Sequence, residues 1–158
     1  MVSTRTGVKI QAVIYRCNEG PEFLILHRNP EHGGFWQNIT GNVEPEEDLH
    51  EALMREIGEE IGIKQECIDR VSDEIMAFRF WAHGMDFIEH VYAVKIDGSC
   101  SVDISRNVDH EHDEYRWMNL EEALSMVRWY TNADAIRIAF LLASTACMSA
   151  ITPSDKKN

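Results

Sequence analysis

The sequence predicts an α/β fold built on a mixed β-sheet, and three observations point there. Apolar runs of strand length recur along the chain, separated by turn-forming residues. A segment of helical composition, residues 48–61, lies between two such groups of strands. Two further helical segments close the chain, so strands and helices interleave.

Residues 8–16 and 23–28 are apolar runs separated by Asn18-Glu19-Gly20-Pro21, and read as two strands joined by a turn. Residues 30–34 form a loop, and 35–40 a short strand leading into Gly41. From 48 to 61 Glu, Leu, Ala, Met and Arg dominate, all good helix formers, and Gly62 is the stop signal. Residues 75–82 and 87–96 form another strand pair around His83-Gly84. A polar connection, 100–113, precedes a short strand at 115–118, and helices are expected at 120–127 and 133 to about 150. No internal repeat or low-complexity linker interrupts the chain.

A length of 158 residues fits one domain, with residues 1–6 and 151–158 expected as flexible tails. The formal charge of −12 argues against long nucleic acids, whose binding needs clustered Lys and Arg. An acidic protein can still bind a polyphosphate where divalent cations bridge the two. Cys17, Cys67, Cys100 and Cys147 show no C-x-x-C spacing, so neither a zinc site nor a disulfide framework is expected. With no leader and no apolar run of membrane-spanning length, a cytoplasmic location away from membranes is the expectation.

The chemistry concentrates between Gly41 and Ile63. On a helix turning about 100° per residue, Glu56, Glu59 and Glu60 fall within one arc, beside an apolar stripe of Leu53, Ile57 and Ile61. Three carboxylates at the edge of a buried face repel and raise one another's pKa. A divalent cation removes that penalty, and hard carboxylate oxygens suit Mg²⁺ or Mn²⁺. The plain alternative is a solvated acidic face, with Arg55 pairing a neighbouring carboxylate.

The spacing decides between them. Gly41, Glu47 and the run Arg55-Glu56-Ile57-Gly58-Glu59-Glu60-Ile61-Gly62-Ile63 resemble the Nudix signature, G-x5-E-x7-R-E-U-x-E-E-x-G-U with U apolar, at every specified position. Seven positions demand one residue type, so a chance match is on the order of 10⁻⁸ per starting point. The resemblance implies the Nudix fold, an α/β/α sandwich with a mixed sheet, and a Mg²⁺-dependent hydrolase of phosphoric anhydride bonds. It assigns Glu56, Glu59 and Glu60 to metal, Arg55 to bracing Glu47, and the Thr40 carbonyl to metal as well. Gly41 is expected to turn the backbone tightly there, and Gly62 to end the helix. Glu60, Glu56 and Glu111 are candidates for the base that activates water for in-line attack at phosphorus.

Outside the signature, His110-Glu111-His112 lacks the partner pair that a zinc site needs. The resemblance instead implies that Glu111 is a further carboxylate on a loop, binding metal or activating water. Phe35-Trp36-Gln37-Asn38-Ile39-Thr40-Gly41 has Ile-Thr where Pro-Gly is commoner, and with Trp129, Asn132 and Ala135-Ile136 it is similar to bacterial dATP and dihydroneopterin triphosphate pyrophosphohydrolases. A small nucleoside or pterin triphosphate is therefore the expected partner, contacted by Arg28, Trp36 and Arg79, in a monomer or homodimer. The stretch from His110 to Trp117, followed by Leu120-Glu121-Glu122, also resembles asymmetric dinucleoside tetraphosphate hydrolases, which carry Pro-Lys-Gly at the place of Ile39-Thr40-Gly41. A catalytically silent nucleotide sensor has no need of the full set of glutamates, and a plain interaction domain has no need of the signature.

Overall fold

The computed structural model describes residues 6–149, and its spine is the first strand, β1 (Thr6–Cys17). Residues 10–15 of β1 are all buried, because the strand lies inside the sheet with helices over both faces. Its alternating side chains serve two cores. Ile10, Ala12 and Ile14 meet Leu53, Ile57 and Ile61 of helix α1 (Leu49–Ile61). Val13 and Tyr15 meet Ala123 of α2 (Leu120–Met126) and Ala135, Ile136, Ala139 and Ala143 of α3 (Tyr130–Ser149). The result is the expected α/β/α sandwich.

Along its length β1 pairs in parallel with β7 (Met85–Ile96), from Thr6 opposite Asp86 to Tyr15 opposite Lys95. Its other neighbours are antiparallel: β4 (Ile39–Asn42) beside its first half and β2 (Pro21–Arg28) beside its second. The sheet is therefore mixed. On the β2 side follow β3 (Trp36–Gln37) and β8 (His112–Met118), and on the β7 side β5 (Ile68–Val71) and β6 (Met76–Ala82). β6 and β7 form a hairpin whose two-residue loop, His83-Gly84, has positive φ at both positions (51° and 72°), the combination whose twist suits a tight hairpin.

Helix α1 ends at the expected Gly62 and starts one residue after the expected Asp48, which is its cap. Asp48 caps it by accepting the Glu51 amide at 2.8 Å, and Gly62 closes it at φ 65°, its N–H reaching the Gly58 carbonyl. Leu53, Ile57 and Ile61 are at most 1% exposed, each worth about 1.5–3 kcal/mol of burial.

Several elements differ from the sequence reading, among them the expected strand at 35–40, which is two strands, β3 and β4, parted at Asn38. β5 was not expected, because Asp69 and Arg70 fill half of a four-residue strand that pairs only with β7. β8 begins at His112 rather than Tyr115, and α3 at Tyr130 rather than Ala133. Of the expected tails, residues 1–5 and 151–158 lie outside the described residues, whereas Thr6 already belongs to β1.

The cysteines are a clear correction. Cys17 at the end of β1 is bonded to Cys147 in α3, with Cα atoms 5.3 Å apart, and Cys67 to Cys100 at 6.0 Å. Separations of 130 and 33 residues have no local spacing to betray them. Only the packing of α3 across β1, and of the turn before β5 beside the strand exit of β7, brings the thiols together.

Candidate active site

Helix α1 delivers Glu56 and Glu60 one turn apart, 7% and 6% exposed. Opposite them runs β4, where Gly41 faces Ile10 of β1. A Cβ at Gly41 would overlap the Glu56 carboxyl. Gly41 is therefore required for space: it lies in a strand, outside the positive-φ region, and makes no tight turn. That corrects the geometric role expected for it, while Gly62 has the one expected.

Arg55 organises the acidic side. Its Nε and one terminal nitrogen bind both oxygens of Glu47 at 2.7 and 2.9 Å, a bidentate fork. The remaining N–H groups reach Glu56 at 2.8 Å, Glu59 at 3.3 Å and the Asn42 carbonyl at 2.8 Å. These bonds hold Glu47 well below the ordinary glutamate value, at about 2, with the Arg55 hydrogen bonds the largest cause. Glu56 moves the other way, up to about 7, chiefly through burial. Arg55 pulls it down, while the charges of Glu60 and Glu59 push it further up. Glu59 is mostly exposed and touches Arg55 alone.

On the other side the chain turns at His110, whose φ is 43°, and enters β8. That turn brings Glu111 and His112 to Glu60: one donor atom of each lies within 4.8 Å of the others. The Glu111 carbonyl accepts the Asn29 amide at 2.8 Å, which ties the segment to the end of β2. The buried His112 has its Nδ1 2.8 Å from Glu60 and its Nε2 3.2 Å from the side-chain nitrogen of Gln37. The Gln37 amide can only donate there, so Nδ1 carries the proton and donates to Glu60. Both ring nitrogens are engaged, which leaves His112 as a support for a carboxylate rather than a zinc ligand.

The residues expected to contact substrate divide. Arg28 and Thr40 line a cavity of about 500 Å³ that also borders Gln37. Trp36 does not: it packs against the α2–α3 core, 4.9 Å from the His27 ring and under the Arg116 guanidinium. Arg79 is exposed on β6, with Phe78 and Phe80 turned to the cavity on its other face, and it pairs with Asp86 at 3.6 Å. Gln37, His112 and Glu89 are site residues the sequence reading missed. Gln37 stands in the Phe35–Gly41 segment and His112 in the His110–His112 run, each without a role of its own in the sequence reading, and Glu89 left no trace.

The NUDIX domain family description matches residues 7–139. This chain belongs to the Nudix family. It is accordingly a hydrolase of phosphoric anhydride bonds. An asymmetrical bis(5'-nucleosyl)-tetraphosphatase of Caenorhabditis elegans is 30% identical over 128 residues, covering 79% of this chain and 88% of that protein. The dihydroneopterin triphosphate diphosphatase of Escherichia coli K12 is 27% identical over 144 residues, covering 82% and 89%. An octanoyltransferase of Myxococcus xanthus is 32% identical over 122 residues, which span 76% of this chain but only 33% of that larger protein. Among solved structures, a C. elegans Ap4A hydrolase binary complex superposes with a TM-score of 0.73 at 24% identity, covering 92% of this chain and 99% of that one. No helix among the described residues is long and apolar enough to cross a membrane.

Proposed function

We propose that this Nudix hydrolase cleaves a nucleoside or pterin triphosphate to the monophosphate and pyrophosphate, in a Mg²⁺-dependent reaction. The observation that carries the reading is the convergence of Glu60, on a helix, with Glu111 and His112 of a distant segment, one helical turn from Glu56 and next to a cavity of nucleotide size. The donor set fits a hard divalent cation. Glu60 and Glu111 supply hard carboxylate oxygens beside the His112 imidazole, and burial already makes the charge on Glu56 costly, which a cation would offset. Glu56, Glu60 and Glu111 would hold Mg²⁺, with Glu59 and the Thr40 carbonyl as neighbours; when bound, it supplies charge neutralisation for the polyphosphate.

The chain's own residues do the rest. Arg55 fixes Glu56 and Glu47 in one plane of hydrogen bonds, so Glu56 cannot swing away from the site. Glu60, oriented by His112, and Glu111 are the carboxylates placed to take a proton from an attacking water. Arg28, in the cavity wall, supplies positive charge to the phosphates. Ile39-Thr40 before Gly41 and the Trp129–Ile136 region favour the triphosphate over a dinucleotide.

The C. elegans relatives favour a second reading, an asymmetric dinucleoside tetraphosphate hydrolase. Product analysis with Mg²⁺ separates them: pyrophosphate and a monophosphate are expected from nucleoside or dihydroneopterin triphosphates. Much faster cleavage of dinucleoside tetraphosphates would establish the second reading instead. Glu60→Gln should lower turnover at least about 10²-fold while the fold survives. Near wild-type rates in both Glu60→Gln and Glu56→Gln would dismiss the site itself.

The cytoplasm suits such substrates, but the two disulfides weigh against a reducing compartment, where such bonds rarely persist.

A further inference from the structure

The cavity beside Gln37 and Thr40 has Lys9 and Arg28 in its lining, and aromatic rings over much of the rest. Phe35 and Trp129 meet edge to face at 5.7 Å on one side, and Phe78 and Phe80 lie 5.8 Å apart on another. Such walls take a flat ring. Among its lining residues one is acidic, Glu89 on β7, and it is 4% exposed.

Glu89 is held by a chain of buried amides. Its Oε2 accepts the side-chain N–H of Gln11 at 2.8 Å, Gln11 accepts from the Asn38 amide at 2.8 Å, and the Asn38 backbone N–H donates to Asn132 at 2.7 Å. Gln11, Asn38 and Asn132 are each at most 3% exposed. Among the described residues nothing hydrogen-bonds the other oxygen, Oε1, and Lys9, opposite Glu89 in the sheet, turns its ammonium to Asn42 at 3.3 Å. A carboxyl buried with a single hydrogen bond is costly to the fold. Glu89 lines the cavity with Oε2 held by Gln11, which leaves Oε1 for a group entering the cavity.

We propose that Glu89 is the specificity determinant of this cavity, hydrogen-bonding an amino-bearing edge of the planar heterocycle that the aromatic walls enclose. The inference rests on the reading above, in which that heterocycle belongs to the triphosphate substrate. Burial pushes the Glu89 carboxyl up, towards its neutral form. A neutral carboxyl donates and accepts, matching a ring nitrogen beside an exocyclic amine, as in adenine and cytosine. A carboxylate accepts twice, matching the N–H and amine of guanine or a pterin. A carboxylate can only accept, so it reads the exocyclic amine and meets a ring carbonyl in its place acceptor to acceptor; a neutral carboxyl also accepts from that amine while its O–H serves the neighbouring ring nitrogen.

Binding can be measured by Trp fluorescence, since Trp129 lines the cavity. Three pairs isolate the amine: GMP against IMP, AMP against purine riboside monophosphate, and pterin against lumazine. At least one amine-bearing member should bind 10-fold or more tightly than its partner, and the pair that shows it tells a nucleobase from a pterin. In Glu89→Gln, the Gln11 N–H still demands an acceptor, so the new amide presents its NH₂ to the cavity and the preference should fall to parity or below. Glu89→Leu should bring the ratio within about threefold of one. Near-UV circular dichroism checks the fold, and if the leucine variant does not fold the isosteric glutamine decides. Equal binding within every wild-type pair, or a preference that survives in Glu89→Gln, overturns the proposal. None of these measurements needs turnover, so a failure to hydrolyse triphosphates would remove the functional reading while leaving this one to its own result.

Discussion

Glu60 is buried between the helix that presents it and the histidine that holds it. The Arg55–Glu47 fork joins two of the signature's seven fixed positions. His112 is different: its Nδ1–H bonds Glu60 only because β8 starts three residues earlier than the apolar pattern suggests. The sequence reading gave function in His110-Glu111-His112 to Glu111 alone, and the geometry adds His112 as a positioning residue. Glu111→Gln should lower turnover by about 10-fold or more. His112→Ala should now do so too, whereas His110→Ala, which removes only an exposed side chain, should not. His112→Asn, whose amide can still donate to Glu60, should recover part of the rate. Steady-state kinetics on the four variants, with metal analysis, decides; stoichiometric zinc would return the histidines to the ligand set.

Glu56 carries a second residue-scale expectation. Its folded pKa, about 7, lies above the ordinary 4.5. Between those values the native state holds a proton that the unfolded chain has released, so the contribution of this group to stability falls as pH rises through the window. Metal-free protein should therefore lose thermal stability from about pH 4.5 to about pH 7, and Glu56→Gln should flatten that slope. Glu47, titrating near 2, lies below the window. Melting curves in EDTA across the range test this, and an identical slope in both proteins would show that Glu56 is not its source.

At the scale of elements, helix α1 was the most legible because its caps, apolar stripe and acidic arc are all local in sequence. Gly58 stands within it, where glycine costs about 1 kcal/mol relative to alanine. The structure shows exposed space: a Cβ there would meet nothing closer than the Ile63 carbonyl at 3.9 Å. Its carbonyl accepts from Gly62, a bond alanine would keep. Gly58→Ala should therefore stabilise the protein by about 1 kcal/mol, through the lower entropy of the unfolded chain. Gly41 is the opposite case, since alanine there collides with Glu56 and should lower turnover sharply. A calorimetric melting temperature that fails to rise in Gly58→Ala would mean that the helix end is strained in some way its backbone does not show. The short edge strand β5 escaped notice for a related reason: an edge tolerates charge, so Asp69 and Arg70 hide the alternation.

At the scale of the whole molecule, what the sequence could not supply is which distant residues meet. Glu89 joins Gln11 across 78 residues and Cys17 joins Cys147 across 130, and in both cases the parallel pairing of β1 with β7 and the return of α3 over β1 make the contact. The disulfides give this long-range order a direct test. Cys17–Cys147 ties the first strand to the last helix, so it closes most of the chain into a loop. In the chain-entropy account each bond restricts the unfolded state and contributes about 2–4 kcal/mol, less in combination because the two loops are nested. Reduction under native conditions should lower the melting temperature by roughly 5–15 °C. The Cys17→Ala, Cys147→Ala pair should reproduce more of that loss than Cys67→Ala with Cys100→Ala, because loop entropy grows with loop length. Thiol titration of the native protein should find no reactive cysteine until reductant is added. Four titrating thiols in protein purified without reductant, with no change in melting temperature on reduction, would remove the cross-links from the native state and return the cysteines to the unpaired role that their spacing suggests.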